Sequence, residues 1–186
     1  MQIAFVNGKG GVGKSTLCFL AALSLRDAGK RVSVSDLDPQ GSITSWIDEE
    51  RDGVTLSPER VGDFHLLDTR PAIDDESVHQ AIAAADCIVM PCTPSPGDIT
   101  TAKATADVVH RFKKPEASYY GVLNMVKGAT NAAKDAPEVF AALGVPLIES
   151  SLPDRQCIQR AVLLGWKALD PRTQTNVFKM ALEIVS

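Results

Sequence analysis

Near its start the chain reads VNGKGGVGKSTLC, Val6 to Cys18, a glycine-rich turn between a short apolar run and an apolar segment of helical period. A backbone that turns on glycines and then opens a helix is suited to wrapping a phosphate. Glycine reaches conformations closed to other residues, and a helix N-terminus offers free N–H groups and a favourable dipole. Two patterns fit. Gly8, Gly10 and Gly13 satisfy G-x-G-x-x-G, a dinucleotide fingerprint, while Gly8, Gly13, Lys14 and Ser15 satisfy G-x-x-x-x-G-K-[ST], the P-loop of nucleotide hydrolases. A dinucleotide has no need of a lysine and a hydroxyl directly after the last glycine. A nucleoside triphosphate does: Lys14 can neutralise β/γ-phosphate charge, Ser15 can ligate Mg²⁺, and Thr16 adds a donor for the α-phosphate. The dinucleotide pattern keeps Asp36 in its favour, at the end of the second strand. The P-loop pattern demands a further acid at another strand end to hold the metal, and FHLLDT supplies Asp68. The P-loop reading is preferred. A bland glycine turn explains neither Lys14 nor the additional Lys9.

The rest of the chain alternates apolar, strand-like runs with segments of helical period. Strands are predicted over Gln2–Asn7, Arg31–Asp36, Phe64–Asp68, Asp86–Pro91, Ser118–Val126 and Val145–Ile148. Helices are predicted over Lys14–Asp27, Ile73–Ala84, Pro96–Phe112, Asn131–Leu143, Arg155–Leu164 and from about Pro171. CIVMPC and YYGVLNMV are too continuously apolar for one-sided strands and suit a parallel sheet covered on both faces. The expected fold is therefore α/β: a mostly parallel twisted sheet flanked by helices on both faces, with ligands at the carboxyl ends of the strands. Asp48–Gly62 reads as a surface excursion with room for one edge strand. The 186 residues are expected to form a single domain, 1–186, without a linker.

Cys18, Cys87, Cys92 and Cys157 form no C-x-x-C pair and read as reduced thiols. No signal-peptide pattern opens the chain and no apolar run reaches membrane-spanning length, so the expectation is a cytoplasmic protein. Net charge is −4, which argues against a wholly basic nucleic-acid binder. The distribution is uneven: residues 151–186 carry five Lys+Arg against three Asp+Glu. A solvated face is the simple account of that tilt.

KGGVGKST resembles the deviant Walker A motif of the ParA/MinD family of ATPases, whose hallmark is an extra lysine, here Lys9. DLDPQGS (Asp36–Ser42), LLDTRP (Leu66–Pro71), PCTPSPGD (Pro91–Asp98), GVLNM (Gly121–Met125) and LPDRQCIQRAVLLG (Leu152–Gly165) follow in the family's order. PCTPSP and SITSW are most similar to the small ParF-like plasmid and chromosome partition ATPases. The resemblance implies a P-loop ATPase using ATP and Mg²⁺, and a sandwich homodimer in the ATP state.

The same resemblance implies residue roles. Gly10, Gly11, Val12, Gly13, Lys14, Ser15 and Thr16 would cradle the phosphates, with Lys9 reaching the nucleotide of the facing subunit. Asp68 and Ser15 would hold Mg²⁺, with Asp36 near the metal supporting its loop. Asp38 would position the attacking water. Asn124 and the backbone around Pro153 and Asp154 would lie at the base, although Asn124 could equally cap a strand end. Arg70 departs from the family's small residue or proline, and solvent or the partner chain is its expected environment.

Three functions compete. The first is a ParA-type partition ATPase, whose dimer binds DNA non-specifically, associates with the nucleoid and is released when a ParB-like or other cargo adaptor stimulates hydrolysis. The second is a MinD-like switch on a membrane, and the third an assembly ATPase acting on another cargo. A membrane helix would want several cations, and TNVFKMALEIVS has only Lys179. A cluster carrier would want a suitably spaced cysteine pair, which is absent. The first reading is therefore preferred, with no membrane partner. Its candidate DNA contacts are Arg155, Arg160, Lys167, Arg172 and Lys179. Lys103, Arg111, Lys113 and Lys114 form a second basic group, more simply a helix-end cluster. With no helix-turn-helix ahead of the first strand, sequence-specific DNA binding is not expected.

Overall fold

The computed structural model describes residues 1–128 and 131–186; the side chains at 96, 99, 100, 131 and 132 lie outside the description. Strands β1 (Gln2–Phe5), β2 (Val32–Asp36), β3 (Thr55–Leu56), β4 (Phe64–Asp68), β5 (Cys87–Cys92) and β6 (Ser118–Leu123) form one sheet in the order β3-β2-β4-β1-β5-β6. Every pairing is parallel. Helices follow as α1 (Lys14–Asp27), α2 (Ser42–Trp46), α3 (Glu49–Asp52), α4 (Glu76–Ala84), α5 (Pro96–Phe112), α6 (Asn131–Ala142), α7 (Gln156–Leu164) and α8 (Pro171–Val185), with a 3₁₀ turn at Trp166–Ala168.

Two apolar clusters, one on each face, explain why β1 and β5 are hydrophobic on both sides. Ile3, Phe5, Val32, Val34 and Leu66 pack with α1, α7 and α8. Ala4, Val6, Leu67, Ile88 and Met90 pack with α4, α5 and α6. Helix α1 is buried from Leu17 through Leu25 because α8 covers its outer side with Val177, Met180, Ala181 and Ile184. Such a helix is apolar all round instead of striped.

Val145–Ile148 is a correction to the sequence-based expectation: it forms no strand, only a bridge between Leu147 and Gly121. Gly121 N–H donates to the Pro146 carbonyl at 2.9 Å and Ile148 N–H to the Gly121 carbonyl at 3.0 Å. The ladder stops on one side because Pro146 has no N–H. On the other side the N–H groups of Glu149 and Ser150 donate to the Glu183 carboxylate. Helix α4 starts three residues later than its apolar pattern, because Asp75 caps it by accepting from Ser77 N–H at 2.9 Å. Strand β6 ends at Leu123. The 48–62 excursion carries edge strand β3, as expected, and also the short helix α3.

Candidate functional site

The glycine loop runs from the end of β1 into α1. Asn7 fixes its start: the side-chain amide donates to the Pro91 carbonyl at 2.7 Å while its oxygen accepts from Lys9 N–H at 2.8 Å. Gly8 N–H donates to Thr105 Oγ1 at 3.1 Å. Gly13, at φ 92°, is the N-cap of α1, with no side chain capping the helix. A Cβ at Gly13 would overlap Asn124 Nδ2, so glycine is required there by both backbone and space. The uncapped N–H groups line a cavity of about 370 Å³ with Lys14, Ser15, Thr16, Asp38 and Pro71 on its walls. Free helix donors beside a lysine suit an anion.

Beneath this cavity lies Asp68, at 0% exposure and, among the described residues, with no hydrogen-bond partner at normal distance for either carboxylate oxygen. Burial raises its pKa from 3.8 to about 7, against the opposing influence of the nearby Ser15 hydroxyl and Lys14. Lys14 is itself buried, which lowers its pKa, while Asp68 and Asp38 act the other way. An unpaired buried carboxylate is costly, and a cation would satisfy it. Among the described residues no group of three or more His, Cys, Asp or Glu side chains is arranged to hold a metal alone. One carboxylate and one hydroxyl instead fit Mg²⁺, which keeps several waters and shares itself with substrate phosphates.

The other two predicted acids differ from Asp68. Asp36 spends its oxygens on backbone donors, Asp38 N–H at 3.1 Å and Thr44 N–H at 2.9 Å, so it ties the loop after β2 to α2. Asp38 accepts from Gln40 N–H at 3.0 Å and stays on the cavity wall.

A second, apolar cavity of about 260 Å³ adjoins the first, bounded by Thr16, Trp46, Asn124, Met125, Pro153 and Asp154. The three predicted base residues therefore converge. Asn124 also braces the loop, donating from Nδ2 to the Val12 carbonyl at 2.9 Å. Trp46 and Met125 received no role from sequence reasoning, yet both line the two cavities. Trp46 meets Phe19 edge-on at 6.2 Å, and Met125 has φ 54°, the positive-φ residue other than glycine among those described. Nothing in local spacing marks either as a wall of this site; both are brought in by tertiary packing.

Lys9 is ion-paired with Asp98 of α5 in the same chain. Asp98 was likewise without a sequence-based role. Arg70 is partly exposed to solvent and also pairs with Asp75 of its own chain at 2.9 Å, within reach across a five-residue turn, a contact that sequence reasoning did not assign. Among the candidate DNA contacts, Arg160, Lys167, Arg172 and Lys179 are exposed. Arg155 instead caps α7 half-buried and pairs with Asp170 at 3.3 Å. The second basic group is largely engaged locally: Lys103 with Asp107, Lys114 with Asp86, and Lys113 with the carbonyls of Lys114 and Ala117. Among the described residues no helix is long and apolar enough to cross a membrane.

Residues 3–165 match the family described as the CobQ/CobB/MinD/ParA nucleotide binding domain. Maintenance of carboxysome distribution protein A from Gloeobacter kilaueensis is 31% identical over 186 residues, covering 91% of this chain and 84% of that protein. Two solved structures share the fold. One is described as a plasmid partition protein of Borrelia burgdorferi B31 bound to AMPPNP, with TM-score 0.75, 17% identity and coverage of 99% and 97% of the two chains. The other is the septum site-determining protein MinD of Pyrococcus horikoshii with Mg-ADP, with TM-score 0.75, 19% identity and coverage of 98% and 95%.

Proposed function

The chain belongs to the CobQ/CobB/MinD/ParA nucleotide-binding family, and on that premise we propose that it is a ParA-type positioning ATPase, one domain over residues 1–186. Asp68 carries this reading. A buried carboxylate with no hydrogen-bond partner among the described residues burdens the fold, and beside Ser15 and Lys14 it suits a cation–phosphate pair.

In this scheme the N–H groups from Gly10 to Thr16 hold the triphosphate, and Lys14 neutralises its terminal phosphates. Ser15 and Asp68 hold Mg²⁺, which, when bound, offsets charge on the phosphate oxygens. Asp36 keeps the loop after β2 in place, and Asp38 orients a water for in-line attack. Asn124, Pro153 and Asp154 border the base. Phosphoryl transfer of this kind relies on positioning and charge more than on covalent chemistry. Lys9 reaches a second protomer's nucleotide, so ATP and dimer formation are coupled. The dimer doubles the exposed cations Arg160, Lys167, Arg172 and Lys179 and binds DNA through phosphates, on the cytoplasmic nucleoid, until a ParB-like or other adaptor stimulates hydrolysis. The likeness to a carboxysome distribution protein favours a second reading of the cargo, a protein-bounded compartment instead of a DNA molecule.

Mg-ATP should convert the wild-type protein from monomer to dimer in sedimentation velocity. The dimer should retard a non-specific DNA fragment at low salt, with retardation lost steeply as salt rises. Asp38→Ala should retain the dimer and lose turnover; Lys9→Ala should bind ATP as a monomer. Absence of a DNA shift at low salt would remove the nucleic-acid part alone. Undiminished turnover in Asp38→Ala would overturn its role.

A further inference from the structure

Lys9 lies on the glycine loop, yet its ammonium is held by α5. Asp98, in the first turn of that helix, accepts from Lys9 Nζ at one oxygen and from the N–H and hydroxyl of Thr93 at the other. The carboxylate is 2% exposed, while the lysine side chain is 40% exposed. Burial pushes the Asp98 pKa up, but Lys9 and Thr93 more than offset this and keep it below the ordinary aspartate value. The acid is thus fixed and the lysine is its movable partner.

We infer that Asp98 is a positioning residue for Lys9, holding the ammonium against its own chain and competing with its reach into a second protomer. The inference rests on the ATP-dimer reading above. Each dimer has to open two such pairs, so the effect enters twice. A partly exposed pair restrains its cation by a factor of about two to five. Squared, that predicts a dimer about four- to 25-fold tighter once the Asp98 charge is gone. A purely structural role, tethering α5 to the loop through Thr93, has the opposite sign: losing it weakens the dimer.

Sedimentation velocity of the full chain in Mg-ATP tests this with Asp98→Asn, which keeps an acceptor for Thr93, and with Asp98→Ser as a second neutral variant. The expected result is a dimerisation constant about four- to 25-fold lower than wild type in whichever variant folds. In wild-type protein, acylation of Lys9 followed by mass spectrometry should be slower than that of exposed Lys179. Equal rates overturn the pairing however the variants fold. If wild type dimerises with ATP and the neutral variants dimerise no better, the Asp98 role is wrong and the dimer reading stands. A wild type that stays monomeric in Mg-ATP removes both.

Discussion

Replacing Asp68 with asparagine should make the protein more stable and inactive. Its carboxylate has no hydrogen-bond partner at normal distance among the described residues, and burial raises its pKa from 3.8 to about 7 against the nearby Ser15 hydroxyl. Between those values the folded chain retains a proton that the unfolded chain has released, so stability declines as pH rises through that window. Fully expressed, the displacement corresponds to roughly 4 kcal/mol above pH 7, and relaxation around the group brings this to about 2–4 kcal/mol. Asparagine has a similar shape and no charge. Thermal unfolding at pH 8 should therefore place Asp68→Asn roughly 5–10 °C above wild type. The gap should shrink to about half by pH 5, where the wild-type carboxyl is protonated in the fold. Mg-ATP should then raise the melting temperature of wild type and leave the variant unmoved. An asparagine variant no more stable than wild type at pH 8, or a gap that ignores pH, would refute the reasoning.

Gly13→Ala should destabilise by about 2–4 kcal/mol in urea unfolding, since it combines left-handed backbone strain with loss of the Asn124–Val12 hydrogen bond. Gly11→Ala, at φ 78° with open space around it, should show the backbone part alone, about 1–2 kcal/mol. Equal losses at the two sites would deny the Asn124 contact. His65 is buried between the hydroxyls of Ser33 and Ser35, and burial first, then Arg60, lowers its pKa. As pH falls through 6.5 the unfolded chain takes a proton that the folded ring resists, so this residue removes stability on the acid side, opposite in sign to Asp68. Stability curves of wild type and His65→Gln should diverge below pH 6.5, with the variant flatter; parallel curves would count against it.

What was legible in the sequence follows local periodicity and short-range chemistry. The positions of β1, α1 and β4, with a glycine turn after β1 and Asp68 at the end of β4, depend on neighbours within a few positions, and the structure has them where the sequence predicts. Val145–Ile148 has the apolarity of a strand, but a ladder needs N–H donors on both sides. Pro146 lacks one, and Glu183, some 35 residues away in sequence, takes two others. Asp98 belongs to a quoted motif, yet its contact with Lys9 spans 89 positions and depends on β1 lying beside β5. Trp46 reaches the site because Asp36 anchors the start of α2 through Thr44 N–H. Spacing along a chain records neither relation.

The placement of the two carboxylates at the proposed cation site is a consequence of strand register. Val32 and Val34 on β2, and Leu66 on β4, face α1; counting on by twos reaches Asp36 and Asp68, which are partners across the parallel ladder. Phe5 of β1 is the partner of Asp68 on its other side. The same parity that builds the core under α1 therefore delivers both carboxylates to its uncapped N-terminus. A slip of one residue in β4 would turn Asp68 into the cluster of Ala4 and Val6 and leave Leu67 beneath Lys14. Strand position matters equally. Because β4 lies between β2 and β1, Asp68 cannot turn to water past a sheet edge, whereas Asp36 finds backbone donors at Asp38 and Thr44, in the loop and helix that follow β2. The central carboxylate is left to be answered from above, by Ser15, Lys14 and the cation proposed for this site, and that dependence ties an energetic flaw in the fold to the site's proposed chemistry.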